Sequence, residues 1–127
     1  MPSFANLKAW QHARRLAVEC ARACSKLPRN ERTVLGRRLR QRVYALVSGI
    51  AAGAIAHGAA RRRLFDRARR SLAAVEALIH VGHDLGCFSI RDYARLEAWC
   101  VETGKTLDGL RPPGRIGPAE FKALQLD

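Results

Sequence analysis

The chain has 127 residues, a length typical of one domain and sufficient to bury a hydrophobic core without disulfides or metal ions. Its 23 basic and 11 acidic residues give a net charge of +12, which favours a polyanionic partner. The start of the chain lacks a secretory leader, and the longest uncharged run, residues 43–60, is mostly Ala and Gly, so the sequence predicts a soluble, cytoplasmic protein without a membrane span.

The first predicted helix covers residues 7–27. Apolar and small residues recur there at three- and four-residue spacing, which is typical of the buried face of a helix. This stripe consists of Trp10, Ala13, Ala17, Cys20, Cys24 and Leu27. Charged residues, among them Arg15, Glu19 and Arg22, fall on the opposite face and are predicted to be exposed. Asn30 is predicted to cap the next helix.

The second predicted helix covers residues 31–56. From Tyr44 onward nearly every residue is apolar or small, a pattern that favours burial on all sides. Glycine inside a helix costs about 1 kcal/mol relative to alanine, and close approach of another helix would explain why two occur here. We therefore predict that an oligomer interface runs along the small residues Ala45, Gly49, Ala52, Gly53 and Ala56.

The third predicted helix begins near Gly58 and ends at Leu85, with Gly86 as its stop signal. The fourth begins after Ser89, which forms an S-x-x-D capping signature with Asp92. Because the connections are short, neighbouring helices should be antiparallel. The sequence predicts an all-α, up-and-down four-helix bundle over residues 1–111. A Pro- and Gly-rich tail, residues 112–127, is predicted either to form a short docking helix or to be disordered.

Arginine is concentrated in the middle of the chain. Residues 29–70 carry twelve bases and two acids, and the segment ARRRLFDRARR at residues 60–70 alone holds six arginines. Five of these fall opposite the core stripe of the third helix, whereas Arg61 falls in line with it and is predicted to snorkel or pair. The predicted nucleic-acid-binding residues are Arg37, Arg38, Arg62, Arg63, Arg67, Arg69 and Arg70.

Two interpretations of these arginines stay open. Arginine forks suit phosphate groups, and the scarcity of interleaved aromatic residues favours contact with the nucleic-acid backbone, RNA above all, rather than base recognition. The alternative is a solvated helix face on a structural or adaptor oligomer that binds a protein partner and has no nucleic-acid role.

No catalytic residue or cofactor is predicted. Glu76, His80 and His83 share one helical stripe, with Cys87 just beyond, and form the best metal candidate. However, the fourth helix offers no histidine and the first two helices offer no inward-facing acid, so we predict no metal site. The four cysteines are predicted to be buried free thiols, since no C-x-x-C pair occurs. A phosphate-binding P-loop and a nucleophile elbow are also missing from the sequence.

Several short motifs resemble the four-helix-bundle protein family that is encoded in intervening sequences of bacterial large-subunit rRNA genes. That family is in turn similar to the accessory variability proteins of diversity-generating retroelements. The resemblance covers residues 4–110. The matching residues are Phe4, Leu7, Trp10, Gln11, Pro28, Glu31, Leu39, Arg40, the segment Gly49-Ile50-Ala51-Ala52-Gly53, Ser71, Leu72, Glu76 and the segment Asp84-Leu85-Gly86-Cys87.

The resemblance implies a homo-oligomer, with pentamers known in the family, and no enzymatic activity. Through the retroelement branch of the family, it further implies association with nucleic acid or with a reverse-transcriptase-like protein. The sequence departs from the family pattern at three polar positions. Gly49 and Ala52 replace the Asn and Glu of an N-I-A-E-G motif, and Ala74 replaces an acid.

Overall fold

The computed structural model describes residues 3–110, and all regular structure within that range is helical. After a short 3₁₀ turn, Ser3–Asn6, the main helices are α1 (Lys8–Ser25), α2 (Arg37–Ile55), α3 (Gly58–Asp84) and α4 (Ile90–Asp108). Each helix packs against the next, and α4 packs against α1. This arrangement confirms the predicted four-helix bundle, whereas the predicted tail at residues 112–127 lies outside the described residues.

The entry into α2 differs from the prediction. A single α-helical turn, Arg29–Glu31, and a π-helical turn, Arg32–Gly36, precede it. The buried Gly36 lies against the end of α1, where an added Cβ would come within 3.2 Å of a Leu27 methyl group. The prediction that Asn30 caps this helix is wrong, because Pro28 occupies the N-cap position and no side chain caps the turn.

The C-terminal end of α3 and the N-terminal start of α4 lie where the sequence signals predicted them. Gly86 has a φ of +72°, and its N–H donates to the carbonyl of His83, while the Cys87 N–H donates to the carbonyl of Gly82. These two bonds satisfy carbonyls that the end of a helix leaves unpaired. The Ser89 hydroxyl accepts a hydrogen bond of 3.0 Å from the Asp92 N–H, which confirms the predicted cap of α4.

The core lies between the four helices and is built mainly from aliphatic side chains. Its most completely buried large residues are Leu16, Leu39, Val43, Leu46, Ile50, Val75, Ile79, Leu96 and Leu107. The most extensive helix–helix contact joins α2 to α3. A Cβ on Gly53 would lie 2.7 Å from the Phe65 ring, whereas one on Gly49 would lie 3.8 Å from the Cβ of Ala68, an ordinary contact. Gly53 is therefore required by this packing, and Gly49 is not.

The cysteines are free, and Cys20, Cys24 and Cys100 are buried as predicted. Cys87 is only half-buried, so the prediction is wrong for this residue. Burial raises the pKa of the Cys20 and Cys24 thiols and, with nearby carboxylates adding to the effect, raises the pKa of Cys100 to about 12. These thiols stay protonated at neutral pH and serve as small packing groups.

The two glycines give a matched test of the α2–α3 contact. Gly49→Ala should raise the free energy of unfolding by up to about 1 kcal/mol, because alanine favours the helix and its methyl group meets only an ordinary contact. Gly53→Ala should lower it by about 1–3 kcal/mol, because the methyl group displaces the Phe65 ring. Urea unfolding of both variants measures the difference, and equal stabilities would contradict this account of the packing.

Candidate nucleic-acid interface

The outward side of α3 carries a group of exposed arginines, which we call the α3 arginine face. It spans nine residues, or about 12 Å of helix from the first to the last. Its members are Arg62, Arg63, Arg67 and Arg70, all exposed as predicted. Arg61 lies half-buried beside this face with its guanidinium 5.2 Å from the centre of the Phe65 ring, which agrees with its predicted position at the core edge. The four exposed side chains can donate hydrogen bonds to phosphate oxygens.

Arg69 does not belong to this face, which corrects the prediction. Its side chain is only 15% exposed and lies between α3 and α4. One guanidinium nitrogen donates to the carbonyl of Leu107 at 2.6 Å, another donates to Asp66 at 3.0 Å, and Nε lies 3.7 Å from an oxygen of Asp108. Arg69 therefore joins the two helices and is not presented to a ligand.

Arg37 and Arg38 are exposed but lie near the other end of the bundle. They line an open groove of about 550 Å³ whose apolar walls include Val34, Leu78 and Val81. From the level of Leu78 to Arg70 is eight residues along α3, or about 12 Å. The predicted single face formed by helices two and three is therefore two separate surfaces, one purely basic and one mixed apolar and basic.

The predicted small-residue interface is also divided by the structure. Ala45 is exposed, and Gly49, Ala52 and Ala56 are half-buried. Gly53 is buried against Phe65 of its own chain, so it is not available to another copy, and this part of the prediction is wrong. The remaining outer side of α2 does expose apolar surface, because Tyr44 and Ile55 are 50% and 64% exposed.

Two of the residues considered as metal ligands, His80 and His83, contact Tyr93 of α4. The Tyr93 hydroxyl lies 2.9 Å from Nδ1 of His80, and the His83 ring stacks on the Tyr93 ring with 3.8 Å between their centres. Within residues 3–110 no group of three His, Cys, Asp or Glu side chains is placed to hold a metal ion. A hydrogen bond to the Glu97 carboxylate is the main cause that raises the pKa of Tyr93 to about 12. Partial burial raises the pKa of Glu76.

Glu19 was predicted to be exposed, and the structure buries it. It is 4% exposed, and its carboxylate lies 3.3 Å from Arg15, 3.6 Å from Arg22 and 3.6 Å from Arg95 of α4. The statement that the first two helices offer no inward acid is therefore wrong. The sequence contains one signal of this cluster, since Arg15 and Arg22 stand four before and three after Glu19, on one helix face.

The family profile of 23S rRNA-intervening sequence proteins matches residues 5–109, which is most of the chain. The chain belongs to this family. No curated protein matches it.

The F-x-x-L-x-x-W-Q motif, which begins at Phe4, holds the 3₁₀ turn Ser3–Asn6 against α1. Gln11 donates a 2.8 Å hydrogen bond to the carbonyl of Ala5, and the rings of Phe4 and Trp10 meet edge to face.

None of the helices between residues 3 and 110 combines the length and the hydropathy that a membrane-spanning segment needs.

Arg69 and Arg70 are neighbours with opposite environments, and their variants should separate a structural arginine from a surface one. Arg69→Gln should lower the free energy of unfolding by about 1–3 kcal/mol, because the buried carbonyl of Leu107 and the acids around Arg69 lose a charged donor. Arg70→Gln should change it by no more than about 0.5 kcal/mol. Thermal and urea unfolding of the two variants provide the measurement, and a neutral Arg69→Gln would refute the assigned role.

Proposed function

We propose that this protein is a non-enzymatic, self-associating nucleic-acid-binding protein whose α3 arginine face contacts the RNA backbone. The observation that carries the proposal is the group of exposed arginines Arg62, Arg63, Arg67 and Arg70 on one side of a helix. The one acid in residues 60–70, Asp66, is half-buried and bound by Arg69, and the four exposed arginines outnumber it.

Backbone contact follows from the chemistry of this face. Each guanidinium that neutralises a phosphate releases a condensed counterion, and this release is independent of base sequence. Phe65, the aromatic residue inside the arginine stretch, is buried in the core, so this face presents no ring on which a base could stack. The face therefore suits a structured RNA whose phosphates are accessible and whose bases are paired.

Self-association is the second component of the proposal. Tyr44 and Ile55 are exposed and stand eleven residues, or about three turns, apart on the outer side of α2, with the exposed Ala45 next to Tyr44. Burial of such apolar surface favours assembly. The family resemblance points to a pentamer. In an oligomer the α3 arginine face repeats in every subunit, which raises the apparent affinity for a long RNA.

One observation favours the alternative function, an adaptor that binds a protein. The groove beside Arg37 and Arg38 exposes Val34, Val81 and Leu85, which are 67%, 49% and 58% exposed. An apolar groove with a basic rim suits an acidic amphipathic segment better than it suits RNA. Association with a reverse-transcriptase-like protein, implied by the family resemblance, belongs to this alternative.

RNA binding is tested by replacing Arg62, Arg63, Arg67 and Arg70 with Gln, with Arg69 retained so that the bundle stays intact. Affinity for a structured RNA near physiological salt should fall for every sequence alike, and the salt-dependence slope should decrease by up to about 3. The matched control removes four positive charges elsewhere, at the exposed Lys8, Arg29, Arg32 and Arg42, and should lose less affinity. If wild type and variant both bind the RNA negligibly, the RNA-binding proposal is contradicted and the adaptor function is favoured.

Self-association is tested by light scattering on Ala45→Arg with Ile55→Arg. Charges on the outer side of α2 should reduce the measured mass from a multiple of the 14.1 kDa chain to that of one chain, because an unpaired buried charge is costly. Ala98→Arg, the same change at an exposed alanine of α4, should leave the mass unaltered. A wild-type protein that is monomeric at micromolar concentration would contradict the proposal.

A further inference from the structure

The outer side of α1 is a second basic surface, which we call the α1 face. Its residues recur at three- and four-residue spacing and line an open groove of about 300 Å³. They are Gln11, Arg14, Arg15, Val18 and Arg22, with Arg95 of α4 beside them. Because α1 packs on α2 and α4, and these two pack on α3, the α1 face and the α3 arginine face point away from opposite corners of the bundle.

The charge of the α1 face is directed outward. The buried carboxylate of Glu19 lies within 3.3–3.6 Å of Arg15, Arg22 and Arg95, whose side chains are 56%, 67% and 47% exposed. Three cations surround one anion, and the anion is on the inner side. The Glu19 carboxylate holds the three guanidinium groups near one another, so less side-chain entropy is lost when they bind a phosphate chain.

Tryptophan rings flank this arginine group on both sides. The chain has two tryptophans, and both are half-buried at this surface. The Arg14 guanidinium lies 5.5 Å from the centre of the Trp10 ring, and that of Arg15 lies 5.5 Å from the Trp99 ring. The face of an indole ring is flat and electron-rich, so it attracts a guanidinium. A nucleobase can stack on the same ring face when the arginine moves away to bind a phosphate.

We propose that the α1 face binds single-stranded nucleic acid, with phosphates on its arginines and bases stacked on Trp10 or Trp99. This inference rests on the proposed nucleic-acid-binding function and gives it a second surface with a different preference. The α3 arginine face offers charge without exposed rings, whereas the α1 face offers both. Only unpaired bases can leave their own stack for an aromatic ring, so the α1 face selects single strands.

The positions of the two tryptophans supply the measurement. Since both lie at the α1 face, their fluorescence reports on binding there and not on binding at α3. A short oligouridine should quench the fluorescence of wild-type protein, and a duplex RNA of equal length should quench it much less. Trp99→Leu, compared with Trp99→Phe, should weaken oligouridine binding measured by fluorescence anisotropy by about 5- to 100-fold, because it removes a stacking ring that phenylalanine retains.

A variant that removes the arginines around Glu19 must replace Glu19 as well. Loss of Arg15, Arg22 and Arg95 alone would leave a buried carboxylate without compensation, which is destabilising. The α1-face variant therefore replaces all four residues with Gln and should fold but show no quenching by oligouridine. If it does not fold, Arg14→Gln with Arg22→Gln is the substitute, since it leaves Arg15 and Arg95 beside Glu19.

The α3 variant defined above, with Arg62, Arg63, Arg67 and Arg70 replaced, should keep wild-type quenching. Quenching that persists in the α1-face variant, or that duplex produces equally, would overturn the inference. Binding by anisotropy without quenching would overturn it as well and leave the proposed function standing, whereas no binding by either method would refute both. A lower mass of the α1-face variant in light scattering would identify this surface as a contact between copies and would also overturn the inference.

Discussion

The close contact between α2 and α3 is the constraint on which the rest of the structure depends. Gly53 lets the Phe65 ring lie directly against the α2 backbone, and the aliphatic side chains of both helices then meet around this point. This contact fixes the orientation of α3, because Phe65 must face inward. Arg63 and Arg67, which lie opposite Phe65 on the same helix, are exposed, so this contact holds the outward side of α3 in place relative to α2.

Three acidic residues of this protein form ion pairs within the bundle, whereas many of the basic residues are exposed on its surface. Glu19 lies between arginines of α1 and α4, Asp66 is bound by Arg69, and Asp92 accepts from Lys26 across the α1–α4 boundary at 3.2 Å. These three acids thus belong to contacts between or along helices. Arginines outnumber these acids and many of them are exposed within residues 3–110, so positive charge predominates on the outer surfaces of the bundle.

The bundle presents two basic faces on opposite corners, and the functions we propose for them differ. The α3 arginine face contains no exposed ring and suits paired RNA, whereas the α1 face adds tryptophans that suit unpaired bases. The apolar groove beside Arg37 and Arg38 is a third surface, of a chemistry suited to protein.

The sequence by itself determined the bundle, because helical periodicity, the Ser89 cap and the Gly86 stop are local signals that act within a few residues. It also determined that Arg62, Arg63, Arg67 and Arg70 are exposed, since they lie opposite a strong core stripe. Only the tertiary structure decided that Arg69, Glu19 and Gly53 are buried or nearly so, and which groups they contact. Each lies near the boundary between a buried and an exposed helix side, where the neighbouring helix determines burial. Periodicity within one helix carries no information about the carbonyl, arginine or ring that the neighbouring helix places there.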